Sequence, residues 1–137
     1  STSVGPAPLV FCADDTGDAA PRAAALRDIG IEVIPVADAR GKVDLPAVLR
    51  VLGERGVNEL HIEAGFKLNG SLLREACVDE LLMYLAPTLL GPGRAMFDLP
   101  LLDALDQRIP LHVHEVRQIG DDIRVLARLG SSSTSQR

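Results

Sequence analysis

Between His61 and Leu73 the sequence reads HIEAGFKLNGSLL, an apolar strand pattern that breaks at a glycine just after a carboxylate and restarts as an apolar helix pattern. Glu63 ends the strand, Ala64 and Gly65 form the turn, and Phe66 opens the helix. In open parallel sheets, ligands bind beyond the carboxyl ends of strands, where helix N-termini present unpaired amides. Gly65 has no side chain to hold a ligand off the backbone, so a phosphate could approach the first helical N–H groups, assisted by Lys67 and Ser71. The plain alternative is that Gly65 only turns the chain and Glu63 is a solvated strand end. The stretch is no dinucleotide fingerprint, because GFKLNG lacks the G-x-G-x-x-G spacing and does not lie in the first strand–helix unit.

Three other groupings carry chemical side chains. His61 and Glu63 repeat the H-x-E of zinc nucleobase deaminases, where the Glu shuttles protons beside the metal, but no P-C-x-x-C completes it. His112 and His114 in HVH would put two imidazoles on one strand face as a candidate metal pair, without a third ligand that the sequence names. Two partly exposed strand histidines are the alternative. Asp79 and Glu80 are neighbours, which suggests general acid/base work, yet adjacent side chains diverge, and capping or a solvated turn is the plainer role. No Ser/His/Asp or Cys/His arrangement supports covalent catalysis. No catalytic residue and no metal ligand is assigned.

The elements that must hold these residues fit one domain, residues 1–137, with polar, flexible ends at 1–7 and 130–137. Aromatics make up only 3% of the chain, so the core must be aliphatic. The net charge of −5, with no cluster of Lys or Arg, argues against nucleic acid and anionic membrane as partners. Cys12 and Cys77 lie 65 positions apart and read as reduced, buried thiols. No stretch is apolar enough to span a bilayer, and STSVGPAP lacks the features of a signal peptide, so a cytoplasmic location is expected.

From Leu9 to Ala13, LVFCA reads as a buried strand. A helix follows, with Pro21 in its first turn, Ala25, Leu26 and Ile29 on one face, and Gly30 closing it. IEVIPV supplies a second strand, and Asp44 caps a helix whose buried stripe is Leu45, Val48, Leu49 and Leu52. Val57 to Glu63 is the third strand, Phe66 to Ala76 the third helix, and ELLMYLAP a fourth strand. After a Gly- and Pro-rich stretch, two extended runs meet at Gly120 to Asp122. Ile123, Val125, Ala127 and Leu129 alternate cleanly, whereas Val116 and Ile119 fall out of phase with Leu111 and Val113, which predicts a bulge. The expected fold is α/β, three-layered, with a mostly parallel sheet, helices on both faces and a C-terminal antiparallel hairpin.

The segment GVNELHIEAGFKLNGSLLREACVDELLMYLAPTLLG, with PLVFCA, ALRDIGIEVIPVADARGKVDLPAVLRVLGERG and IGDDIRVLARL, resembles the second half of the reductase domain of bifunctional riboflavin-biosynthesis deaminase/reductases. The resemblance runs from about Pro8 to Leu129. In that family a strand ending in E-G-G leads a cofactor-binding helix, so Ala64 is a departure, one that would be strained at positive φ. The resemblance implies a dihydrofolate-reductase-like fold, N-terminally incomplete, with this chain a fragment that is inactive alone. It implies NADPH-dependent reduction of the ribosyl side chain of 5-amino-6-(5-phosphoribosylamino)uracil, with Glu63 contacting this phosphorylated ribosylaminopyrimidine. Gly65, Phe66, Lys67, Leu68, Asn69, Gly70 and Ser71 would cradle NADPH, mainly by backbone amides. Zinc would belong only to the deaminase domain, which this sequence does not contain. An incomplete sheet exposes an edge or a face, so a homo-oligomer is expected. The alternative is a non-catalytic α/β module for nucleotide binding or oligomerisation.

Overall fold

Local sequence accounts for most of the elements in a computed structural model of the chain, which describes residues 7–130. The ends expected to be flexible lie outside the described residues apart from Ala7 and Gly130. The elements are β1 (Leu9–Cys12), α1 (Ala20–Asp28), β2 (Glu32–Pro35), α2 (Leu45–Glu54), α3 (Phe66–Arg74), β3 (Glu80–Leu85), β4 (Leu111–Ile119) and β5 (Asp122–Leu129). The chain divides into two compact units, residues 1–61 and residues 62–137.

In the first unit β1 and β2 pair in parallel, with Leu9 opposite Glu32 and Cys12 opposite Pro35. Proline lies in the first turn of α1, and Gly30 follows the helix at φ +84°, the left-handed conformation that ends helices. The buried face of α1 differs from the expected one: Ala23 is buried and Leu26 half-buried, while Ile29 is 72% exposed. Four alanines in nine residues leave the helix with little amphipathic contrast, so periodicity could not fix its inner face. The α2 expectation holds. Asp44 accepts a hydrogen bond from the Ala47 N–H at 2.9 Å, and Leu45, Val48, Leu49 and Leu52 are half-buried. Arg55, just after α2, forks onto both carboxylate oxygens of Glu32, at 2.8 and 2.6 Å.

In the second unit the sheet order is β3-β5-β4, with both pairings antiparallel. The hairpin is as expected: Ile119 pairs with Asp122 across Gly120 and Asp121, with Gly120 at φ +61°. The bulge is also present, between Val113 and Glu115. It restores the apolar phase. Leu111, Val113 and Val116 stand opposite Leu129, Ala127 and Val125, so all six share a sheet face, and Ala127 is fully buried. On the other face Glu115 is clamped by Arg117 at 2.6 Å and by Arg124. The Arg124 guanidinium, with a smaller effect from Arg117, holds the Glu115 carboxyl below the usual carboxylate range.

The expected single, mostly parallel sheet is corrected by the ladders. The fold is mixed α/β, but among the described residues parallel pairing is confined to β1 and β2, and the larger sheet is wholly antiparallel. Residues Val57 to Glu63, expected as the third parallel strand, join no ladder, and Val57, Leu60 and Ile62 are 38–45% exposed. A strand exists only against a partner with open N–H and C=O groups, so an apolar pattern is necessary but not sufficient.

Candidate functional site

The second unit begins with the stretch that holds the candidate site. Gly65 is the N-cap of α3, at φ −85° and ψ 172°. No side chain caps this helix start, so its first amides have no cap acceptor of the kind Asp44 gives α2. Asn69 N–H donates to the Gly65 carbonyl at 3.0 Å, which closes the first turn. The geometry is that of an anion-accepting helix start: N–H groups pointing outward with the positive end of the helix dipole behind them.

The conformation of Gly65 has no left-handed φ, and a Cβ built there would meet nothing within 4 Å. Any residue could adopt this backbone, and Asp, Ser or Asn would cap the helix better. The fold therefore gives no reason for glycine at this position. A close approach to the backbone from outside the chain would give one. Ala64 brings no strain, because Ala76 is the only non-glycine residue at positive φ among the described residues.

The residues from 65 to 71 fall into two groups. Gly65, Lys67 and Leu68 are exposed and Phe66 is half-buried, so this end of the helix is open. Asn69, Gly70 and Ser71 instead engage their own chain. The Asn69 side-chain amide donates to the carbonyls of Ala64 at 3.2 Å and Met96 at 3.5 Å. Gly70 is buried, and a Cβ there would come within 2.8 Å of the Asp98 backbone nitrogen. The Ser71 hydroxyl accepts from Arg74, whose other guanidinium nitrogen donates to the Asp98 carbonyl. Together with the bond from Asp98 N–H to the Phe66 carbonyl at 3.1 Å, these contacts strap residues 96–98 onto α3. Sequence reasoning missed this strap. Its one visible signal was a glycine inside a helical pattern, which marks close backbone approach.

Asp79 and Glu80 take structural roles. Glu80 forms an ion pair with Arg128 at 3.3 Å, and the Asp79 carbonyl accepts from Leu129 N–H. His112 stands opposite Arg128, while His114 is the extra residue of the bulge and faces no partner residue in the ladder. No group of three or more His, Cys, Asp or Glu among the described residues could hold a metal ion. Cys12 and Cys77 are only half-buried, where buried thiols were expected. In the first unit a mostly apolar cavity of about 150 Å³, bordered by Val10, Cys12, Ala23 and Val33, is too small for a dinucleotide.

Comparison with known proteins places this geometry in a family. Residues 6–125 match the RibD C-terminal domain. The riboflavin biosynthesis protein RibD of Haemophilus influenzae is 44% identical over 82 residues, which are 59% of this chain and 22% of that protein. The 5-amino-6-(5-phosphoribosylamino)uracil reductase of Buchnera aphidicola is 31% identical over 90 residues, 65% of this chain and 44% of that protein. The chain thus spans less than half the length of either relative. Among solved structures, Acinetobacter baumannii RibD superposes with a TM-score of 0.68 at 28% identity, over 78% of this chain and 29% of that one. A pyrimidine reductase-like protein of Corynebacterium diphtheriae gives 0.73 at 21% identity, over 91% and 51%, and shows the shared fold. Matched over residues 6–125, the chain belongs to the RibD C-terminal domain family.

Proposed function

We propose that residues 1–137 serve as the C-terminal portion of a riboflavin-biosynthesis reductase, reducing the ribosyl side chain of 5-amino-6-(5-phosphoribosylamino)uracil to the ribityl product with NADPH. The reading rests on family membership and on the name of the Buchnera relative. The structural observation that carries it is Gly65, which heads α3 with open space where a side chain would stand.

The residues present fit a phosphorylated cofactor. The outward N–H groups at the start of α3 would hold a phosphate, and the exposed Lys67 adds a positive charge one turn away at most. Asn69 and Gly70 act from behind: by tying Ala64 and residues 96–98 to the helix, they fix the direction of those amides. When bound, NADPH supplies a hydride. Glu63, two residues before the cap, would accept hydrogen bonds from the sugar hydroxyls and so orient the ribosyl chain. The 137-residue chain alone is expected to show no turnover, since it spans only 22–44% of these relatives.

The test is a chimeric enzyme in which residues 8–129 replace the matching part of a full-length RibD relative. Gly65→Asp should leave the fold intact or slightly stabilised, because aspartate is a better N-cap than glycine by a few tenths of a kcal/mol. NADPH affinity should nevertheless fall by about tenfold or more, since a carboxylate then occupies the anion position. Glu63→Gln should lower turnover or substrate affinity and leave NADPH affinity nearly unchanged. An unaltered NADPH titration of folded Gly65→Asp would reduce the glycine to a turn.

A further inference from the structure

Asn69 holds both peptide units that flank Gly65. Its backbone N–H donates to the Gly65 carbonyl at 3.0 Å, and its side-chain amide donates to the Ala64 carbonyl at 3.2 Å. The same amide nitrogen reaches the Met96 carbonyl at 3.5 Å. Both side-chain partners are carbonyl oxygens, which only the NH2 end of the amide can face, so chemistry fixes which way the amide is turned. Helical side chains lean toward the N-terminus, which is how Asn69 reaches the peptide ahead of the cap. Among the described residues the Gly65 N–H itself donates to nothing.

The direction of that N–H follows from the carbonyl on the other side of its own peptide. No peptide bond among the described residues is cis, and in a planar trans peptide the C=O and N–H point in opposite directions. With the Ala64 carbonyl drawn to Asn69, the Gly65 N–H points away from Asn69 and adds a donor ahead of the first helical amides. The reverse arrangement is within reach of the backbone. Turning the Ala64–Gly65 peptide over would carry the Gly65 φ from −85° to a positive value, which glycine adopts freely, and a Cβ at Gly65 would meet nothing within 4 Å, so there is room. A turned peptide would aim a carbonyl oxygen, the negative end of its dipole, at the place where an anion should bind.

We propose that Asn69 is a positioning residue for the cofactor: it latches the Ala64–Gly65 peptide with its N–H outward, so that this amide joins the phosphate-binding head of α3. The inference rests on the NADPH reading given above. The glycine that lets a phosphate approach the backbone also lets its own peptide turn over, and Asn69 removes that freedom before the cofactor arrives. Its second bond, to the Met96 carbonyl, holds the side chain in place, so the cofactor does not have to order the latch as it binds.

NADPH titrations of the chimeric enzyme carrying residues 8–129 test the latch. Asn69→Ala removes the donor and keeps a strong helix former, while residues 96–98 stay tied to α3 through Phe66 and Arg74. Losing one amide–phosphate bond should weaken NADPH binding about three- to tenfold and raise the KM for NADPH alike, with kcat at saturating NADPH nearly unchanged. In a Gly65→Ala background the turned peptide is disfavoured, because alanine resists positive φ, so Asn69→Ala should there weaken binding by less than about twofold. A merely structural Asn69 would cost the same in both backgrounds. Asn69→Leu, of similar volume and without a donor, serves if Asn69→Ala does not fold. Crystals of either variant without cofactor read the peptide directly, with a positive φ expected at Gly65, and they decide the matter if Gly65→Ala binds too weakly to titrate. Gly65→Asp separates this inference from the NADPH reading. Weakened binding in Gly65→Asp with unaltered binding in Asn69→Ala would overturn the latch alone, whereas unaltered binding in both would overturn the NADPH reading and the latch with it. Equal losses in the two backgrounds, or a Gly65 N–H that stays outward in crystals of the Asn69 variants, would also overturn the latch.

Discussion

Three glycines separate fold from ligand at the scale of single residues. Gly70 is enclosed: a Cβ there would collide with the Asp98 backbone, which has no freedom to swing aside as a side-chain tip would. Gly70→Ala should therefore cost about 1–3 kcal/mol in chemical denaturation by loosening the strap over α3. Gly53 lies within α2 with nothing near its absent Cβ. Gly53→Ala should stabilise the chain by about 0.5–1 kcal/mol, since alanine loses less backbone entropy in a helix. Gly65 is open in the same way, yet for it we expect a functional penalty. Comparing the three separates a glycine required by packing, one that packing does not need, and one that a ligand would require.

Helix ends and strand edges show what each element gains from its neighbours. α3 closes through Ala76 at φ +53°, with Cys77 N–H reaching the Leu72 carbonyl at 2.9 Å, a closure that usually employs glycine. Ala76→Gly should relieve that left-handed strain and raise stability by about 1 kcal/mol, readable as a higher thermal midpoint. In the sheet, Glu115 binds Arg124 and Arg117, and its pKa is lowered in the folded state. A lowered folded-state pKa means that the unfolded chain binds the proton more tightly. The stabilisation from Glu115 is thus complete above the unfolded carboxylate value, about pH 4.3, and is lost as pH falls through the lower folded value. Denaturation midpoints measured from neutral to acidic pH should fall less steeply in Glu115→Gln than in wild type.

For the molecule as a whole, the balance between interior and surface is unusual. Among the described residues, the buried apolar side chains are Ala23, Val33, Leu72 and Ala127, while Leu89, Leu90, Leu101 and Leu105 are 80–101% exposed. Small buried residues contribute little hydrophobic stabilisation, and large exposed ones contribute none until something covers them. Stability linked to association should then show mass action. The thermal midpoint is expected to rise with protein concentration, and a constant midpoint across a range of about a hundredfold would show that association does not cover these side chains.

Much of this was legible in the sequence because it depends on neighbours along the chain. The Asp44 cap, the α2 stripe, the two-residue turn at Gly120 and even the bulge near His114 follow from residue types at fixed local spacing, since capping, periodicity and turn geometry act over a few residues. So did the glycine cap and helix start at Gly65 and Phe66. The sequence could not say which strands pair: Val57 to Glu63 carries a strand pattern without a ladder, and β3 joins β5 in an antiparallel sheet. Nor could it say that Gly70 packs on Asp98 while Gly65 stands open, although the two are five residues apart on one helix. Both are long-range facts. Pairing and close approach depend on which distant backbone arrives, and the residue types at one position do not encode its neighbour in space.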